Sequence, residues 1–301
     1  MLLLRCAFLA SATVLIALPA PGQIMASERA TVSQVIDGTT ISLDYARPRL
    51  RGRQPDSLFN GWWIPTGEVW TPGANDATLL RVSKDVTING VAVPAGAYSM
   101  WMVVDTAEQW LTALKTDTTL FHMPFPTVDA EDIQFRTPMR LGEATDALIW
   151  TFDTPRSTGV TAELRWANRV GTLDIAVEPS LPMAFPAGAA GKFAGEYEVT
   201  WAMADEEAPE DLDTSLVIFH RDGMLRAEWD LFFYPITDQQ ILIPLTDEWF
   251  TLGMEVDGEL FEVQKWMTFE FQFADGKATG FEVRLESDKV MLRGTRKQGT
   301  G

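Results

Sequence analysis

The chain has 301 residues, of which 46% are hydrophobic, and a formal net charge of −18. This length and apolar content are sufficient for one large domain or two ordinary domains. A strongly acidic chain repels nucleic acid and anionic membrane surfaces, so neither is an expected partner.

Residues 1–26 have the features of a signal peptide, with candidate cleavage positions after Ala20, Gly22 and Ala26 and a preference for the region 22–26. Arg5 supplies a positive start, and the apolar run at residues 7–18 is too short to span a bilayer as a helix. The features predict an exported protein, periplasmic or extracellular, with no membrane span after leader removal. An uncleaved membrane anchor is the alternative. Because Cys6 is the sole cysteine and lies in the leader, the mature chain is expected to contain no thiol or disulfide.

Residues 27–187 are predicted to form a β-sandwich of the jelly-roll type. Apolar alternation predicts strands at residues 30–36, 39–45, 77–83, 85–88, 91–93, 97–104, 133–139, 147–153, 160–166 and 171–178. Residues 105–115 are predicted to form a strand after a turn, with a helix as the alternative. Asp37-Gly38 and Asn89-Gly90 fit two-residue hairpin turns, because both turn positions need φ > 0. Short strands at this spacing are typical of sandwiches and jelly rolls.

Residues 188–301 are predicted to form a second all-β domain. Residues 178–192 contain three prolines and favour a connector, since proline cannot donate to a strand ladder. About eight antiparallel strands follow, predicted at residues 195–201, 215–220, 224–229, 240–243, 249–256, 260–263, 266–273, 279–285 and 290–296. This count is that of a small up-and-down barrel.

Motifs in residues 30–177 resemble a secreted bacterial family known as domain of unknown function 2911. The resemblance rests on Tyr45-Ala46-Arg47-Pro48, Arg51-Gly52-Arg53, Gly67-Glu68-Val69-Trp70, Gly73-Ala74-Asn75-Asp76-Ala77-Thr78 and Asn89-Gly90. It implies an exported all-β module with no agreed activity. Thr71 departs from the family, which usually has arginine after the tryptophan.

The C-terminal part resembles the lipocalin-like barrel that is often appended to β-lactamase-type serine hydrolases. The resemblance rests on Gly195-Glu196-Tyr197, Leu242-Ile243-Pro244-Leu245 and Asp275-Gly276-Lys277. The hydrolase itself is not part of this sequence, which contains neither an S-x-x-K nor a G-x-S-x-G motif.

An arginine row is the first candidate for a binding site. Arg47, Arg49, Arg51 and Arg53 alternate along the sequence, and an extended segment would place all four on one face. Such a row binds carboxylate, phosphate or sulfate groups through the planar guanidinium fork. The alternative is that the protein's own Asp and Glu side chains pair with the row.

Aromatic and polar residues close to this row complete the candidate site. Trp62, Trp63 and Trp70 are suited to stacking on sugar rings or arginine planes, or alternatively to core packing. Asn75 and Asp76 fit a tight turn, or alternatively a polar group at the mouth of a pocket. The ligand-binding candidates are therefore Arg47, Arg51, Arg53, Trp70, Asn75 and Asp76.

No cofactor or metal is predicted. His122 and His220 are the only histidines and do not have metal-ligand spacing, and no dinucleotide, Walker or EF-hand motif occurs. The leading hypothesis is a non-catalytic exported protein that binds a small anionic or carbohydrate ligand or an envelope or extracellular polymer. One alternative is a carboxylate-based hydrolase that uses Asp44 or Asp76 near Arg47 and Arg51. The other is a purely structural module that assembles through sheet edges.

Overall fold

The structure is a computed structural model that describes residues 25–59, 63–64, 66–105, 108–210, 212–229 and 240–298. The predicted signal peptide lies almost entirely outside the described residues, as does Trp62. Nearly all regular elements are strands, so the predicted all-β class is confirmed. None of the described helices is long and apolar enough to cross a membrane.

A ten-stranded sheet forms the N-terminal part of the described chain. Its strands are β1 (Arg29–Ile36), β2 (Thr39–Ala46), β3 (Val69–Trp70), β4 (Thr78–Val82), β5 (Val86–Ile88), β6 (Val91–Val93), β7 (Gly96–Val103), β8 (Gln109–Lys115), β9 (Ile133–Arg156) and β10 (Gly159–Val177). The hydrogen-bonded order is β1-β2-β4-β7-β8-β9-β10-β5-β6, with β3 paired to β7. A short 3-10 turn covers Pro55–Ser57.

The predicted hairpin turns are present. Asp37 and Gly38 have φ values of 43° and 69°, and Asn89 and Gly90 have values of 47° and 82°. Positive φ at both central positions gives the twist that a two-residue hairpin needs.

Strands β9 and β10 are much longer than the sequence indicates. Residues 133–139 and 147–153 belong to one strand of 24 residues, and residues 160–166 and 171–177 belong to one strand of 19, so the predicted division is wrong. Exposed side chains such as Leu141, at 65% exposure, interrupt the apolar alternation of β9. Backbone pairing with β10 nevertheless continues through this region, with register shifts around Ala167. Such bulges bend a sheet without ending it.

The C-terminal part is a closed antiparallel barrel of eight strands, which confirms the predicted barrel. Its strands are β11 (Gly195–Trp201), β12 (Ser215–Arg221), β13 (Met224–Glu228), β14 (Gln240–Pro244), β15 (Trp249–Val256), β16 (Glu259–Ala274), β17 (Lys277–Leu285) and β18 (Val290–Arg296). A single short helix, α1 (Ala187–Ala190), precedes β11 in the described chain.

Two separate groups of buried side chains hold the two parts. One group runs from Ile36 to Val177 and the other from Ala190 to Leu292. The boundary predicted at residues 187–190 lies between them and remains a prediction.

Candidate functional site

The arginine segment leaves strand β2 and turns. β2 ends at Ala46, Arg49 forms an isolated bridge with Ala147, and Arg51 and Gly52 have φ values of 51° and 82°. Because strands require negative φ, the extended row that would align all four arginines is not formed. Each guanidinium group has its own surroundings.

Arg47 and Arg51 are bound by backbone oxygens. Nε of half-buried Arg47 donates to the carbonyl of Leu148 at 3.2 Å, and Nη2 of exposed Arg51 donates to the carbonyl of Ala26 at 2.8 Å. A carbonyl accepts a hydrogen bond without cancelling the positive charge. Both cations therefore keep a net charge that an anion can complement.

Arg49 is the exception in the segment. Its Nε lies 2.6 Å from Oδ2 of Asp146, and this hydrogen bond together with the Arg49 charge lowers the pKa of the Asp146 carboxyl. Among the described residues, Arg47, Arg51 and Arg53 have no carboxylate within ion-pair distance. Of the four arginines, Arg49 is therefore the one that forms an ion pair with a carboxylate of the described chain.

Arg53 lies over two tryptophan rings. Its guanidinium carbon is 4.8 Å from the ring centroid of Trp63 and 5.9 Å from that of Trp166. Its Nε and Nη2 donate to the carbonyls of Leu50 at 2.8 Å and Arg49 at 2.5 Å, which fixes the plane of the group. Trp166 is buried, whereas Trp63 is 53% exposed. The Arg53 guanidinium is therefore held in one orientation next to the exposed ring of Trp63.

Trp70 lies in the core behind this pair. Its ring stacks on Trp166 at a centroid distance of 6.0 Å and contacts the edges of Phe59 and Trp110 at 5.8 and 6.5 Å. Only 7% of Trp70 is exposed. Of the tryptophans near the arginine segment that the structure describes, Trp63 is the one with an exposed ring, and stacking of a ligand on Trp70 remains a prediction.

Asn75 and Asp76 lie in a turn that is joined to a second loop. Asn75 has a φ of 61°, and its carbonyl accepts hydrogen bonds from the backbone N of His122 at 2.8 Å and from Nδ1 at 3.0 Å. Asp76 forms a bridge with Phe121. The backbone of the turn is therefore structural, while the Asp76 side chain is 71% exposed.

Asp44 and Asp76 both contact the guanidinium of Arg29, a residue that lies outside the sequence motifs of the candidate site. Nε of Arg29 donates to Oδ1 of Asp44 at 2.5 Å, and Nη1 lies 4.0 Å from Oδ2 of Asp76. Thr31 adds a hydrogen bond to Asp44 at 3.2 Å. The hydrolase hypothesis paired Asp76 with Arg47 and Arg51, but the cation within ion-pair distance of Asp76 in the described chain is Arg29.

Three contributors were missed because they are distant in sequence from the candidate residues. Arg29 is 47 positions from Asp76, His122 is 47 positions from Asn75, and Trp166 is more than 100 positions from Arg53. A sequence pattern carries no information about such pairings unless the strand order is known. No group of three or more His, Cys, Asp or Glu side chains in the described part of the chain is arranged to hold a metal ion.

Comparison with known proteins identifies the N-terminal part. Residues 27–175 match the model of the family described as "Protein of unknown function (DUF2911)". No curated protein and no solved structure matches the chain.

The DUF2911 motif after Trp70 forms a compact turn that Thr71 holds. The buried Thr71 hydroxyl accepts a hydrogen bond from the backbone N of Thr78 at 2.8 Å and donates to the carbonyl of Met100 at 3.3 Å. Thr78 in turn donates its hydroxyl to the carbonyl of Pro72 at 3.0 Å. Backbone groups therefore use both the acceptor and the donor function of the Thr71 hydroxyl.

Proposed function

We propose that the chain is an exported, non-catalytic binding protein whose DUF2911 part holds an acidic sugar unit of an envelope or extracellular polymer at Arg51, Arg53 and Trp63. The carrying observation is the Arg53 guanidinium, which is stacked beside an exposed Trp63 ring and has no carboxylate partner among the described residues.

The ligand class follows from the two kinds of contact. A flat, exposed indole stacks on the apolar face of a sugar ring. A guanidinium with a fixed plane binds a carboxylate or sulfate through parallel hydrogen bonds. A ring that carries a carboxylate or sulfate satisfies both contacts together.

Leader removal strengthens the site in this proposal. The predicted leader ends at Ala26, and the Ala26 carbonyl is the acceptor for Arg51. Cleavage after Ala26 takes this acceptor away, so the mature chain presents Arg51 without its backbone partner. Arg47 remains bound to Leu148 and contributes charge from a half-buried position.

The test is calorimetric titration of the mature chain with oligogalacturonate, dextran sulfate and neutral dextran of similar length. We expect the two charged oligomers to bind, neutral dextran to bind at least tenfold more weakly, and the affinity to fall with added salt because the contact is ionic. Binding of neutral dextran as tight as that of the charged oligomers, or no binding of either charged oligomer, would overturn the proposal.

Substitutions locate the site on the arginine segment. Arg53→Ala and Trp63→Ala are each expected to weaken binding by about tenfold, which corresponds to about 1.4 kcal/mol. Arg49→Ala is the matched control, because Arg49 is already paired with Asp146. It removes the same charge and is expected to change the affinity less than about twofold, well under 1.4 kcal/mol. Equal losses for Arg49→Ala and Arg53→Ala would mean that bulk charge, not this site, determines binding.

A further inference from the structure

The barrel has a second candidate site that is unrelated to the arginine segment. A cavity of about 640 Å³ lies at the end of the barrel where β11 and β17 end and β18 begins. Its apolar wall consists of Trp201, Met203, Trp266, Leu285 and Met291. This volume is within the range of pockets that bind small organic molecules, about 300–1,000 Å³.

Aromatic rings pack the interior of the barrel between this cavity and a second cavity of about 620 Å³ at the α1 end. Phe193, which follows α1, contacts Phe250, Phe271 and Phe273 at centroid distances of 5.0, 5.1 and 5.5 Å. Phe281 packs on Phe271 at 5.5 Å farther along the interior. A ligand that enters these packed rings would have to displace them, whereas the cavity beside Trp201 is already open.

Two tryptophans of the cavity are fixed by their own indole N–H groups. Nε1 of Trp201 donates to the carbonyl of Glu206 at 2.9 Å, and Nε1 of Trp266 donates to Oε1 of Gln264. Both polar atoms are therefore occupied by protein acceptors. What the two side chains offer to a ligand is the ring surface, whose negative face attracts cations.

Carboxylates line the same cavity. Glu206, Glu207 and Glu286 are part of its wall, and in the described chain none of them has a lysine or arginine within ion-pair distance. Lys289 lines a neighbouring smaller cavity and is not paired with them. An apolar cavity with indole rings and three uncompensated carboxylates is complementary to a positively charged, apolar molecule.

We infer that this end of the barrel binds a small lipophilic cation, with the cationic centre beside Glu206 and Glu286 and the apolar body against Trp201, Leu285 and Met291. Quaternary ammonium groups and protonated amines with apolar substituents belong to this class. Rings and carboxylates together favour such a cation over a neutral apolar molecule, because each supplies negative potential.

The experiment compares two ions of the same shape and opposite charge. Tetraphenylphosphonium and tetraphenylborate are titrated into the full chain, with tryptophan fluorescence and calorimetry as readouts. We expect saturable binding of tetraphenylphosphonium that is at least tenfold tighter than binding of tetraphenylborate. Equal affinities would show that apolar contact alone is responsible, and an absence of saturable phosphonium binding would also overturn the inference.

A charge-matched control separates this cavity from the general acidity of the chain. The double variant Glu206→Gln/Glu286→Gln is expected to weaken phosphonium binding at least tenfold. Glu248→Gln, in the wall of the cavity at the α1 end, removes an equivalent carboxylate elsewhere and should leave the affinity within twofold. If Glu248→Gln weakens binding per removed charge as much as the double variant does, the cation is attracted by net charge and has no site here. Neither result depends on the sugar site of the other part of the chain.

Discussion

The hydroxyl of Tyr45 forms hydrogen bonds with both backbone groups of Trp150. It accepts from the Trp150 N at 3.0 Å and donates to the Trp150 O at 3.3 Å. Tyr45 lies on β2 and Trp150 on β9, strands that are not neighbours in the sheet, and both residues are buried. One hydroxyl therefore joins two distant strands of the sheet across its core.

Tyr45→Phe is expected to destabilise the chain by about 1–3 kcal/mol, because it leaves a buried N–H and a buried carbonyl without partners. Urea unfolding at neutral pH measures the change. Tyr98→Phe is the matched control, since its hydroxyl makes a single hydrogen bond, to Pro94, and its loss is expected to cost about 0.5–1.5 kcal/mol. A smaller effect for Tyr45→Phe than for Tyr98→Phe would contradict the bridging role.

Gly73→Ala tests the packing of the DUF2911 turn. A Cβ at this position would lie 2.7 Å from Oγ1 of Thr78 and 3.3 Å from the carbonyl of Ala46. We expect a loss of about 1–3 kcal/mol from overpacking, seen as a lower midpoint in thermal unfolding. Gly188→Ala is the control, because a Cβ there meets nothing within 4 Å. Equal midpoints for the two variants would show that the turn adapts.

The contact between Arg49 and Asp146 makes the free energy of unfolding depend on pH in the acid range. Its hydrogen bond and charge lower the pKa of Asp146, so this carboxylate adds stability above its ordinary pKa of 3.8 and loses it as the pH falls through the lowered value. Asp146→Asn should therefore lose more stability at neutral pH than in acid, which flattens the acid limb of a urea-unfolding series. Glu143→Gln, an exposed carboxylate, is the control and should leave the limb unchanged. An unchanged acid limb in Asp146→Asn would refute the assignment.

Burial of Tyr197 makes the free energy of unfolding depend on pH in the alkaline range. Burial raises the pKa of its hydroxyl from 10.0 to about 12, against the opposing effect of the Arg296 charge. The unfolded chain releases this proton first, so the contribution is complete below about pH 10 and is lost as the pH rises to about 12. Ultraviolet titration of phenolate should show a late component near pH 12 that Tyr197→Phe removes. Persistence of that component in the variant would assign it to another tyrosine.

Local patterns in the sequence predicted the element types well. Asn89-Gly90 and Asp37-Gly38 form the expected turns, and seven of the eight barrel strands each match one predicted run. The division between residues 260–263 and 266–273 is wrong, because both runs belong to β16. These features depend on residues that are adjacent in sequence, where side-chain period and turn chemistry determine the backbone.

Strand length was underestimated where pairing continues without burial. Leu141 and its neighbours are exposed, so the sequence around them lacks the alternation that identifies a half-buried strand. The backbone of β10 maintains the ladder there. Hydrogen bonds to a distant partner leave no periodic signal in the sequence.

The candidate site was only partly predictable for a similar reason. The sequence identified Arg53 and the nearby tryptophans, but a turn at Arg51 and Gly52 breaks the supposed row. Trp166 and Arg29, which determine the surroundings of Arg53 and Asp76, come from other strands. Only the strand order brings such residues together.

Because β9 pairs with both β8 and β10, its place in the sheet affects the order in which the strands can pair during folding. β9 pairs with β8 at its start and with β10 over the rest of its length, so it links the two halves of the sheet. The sheet therefore cannot be completed until residue 177 has emerged from the ribosome or, in the exported protein proposed above, from the translocation channel. Until then β5 cannot pair with residues 175–177 of β10, so β5 and β6 stay unattached to the rest of the sheet.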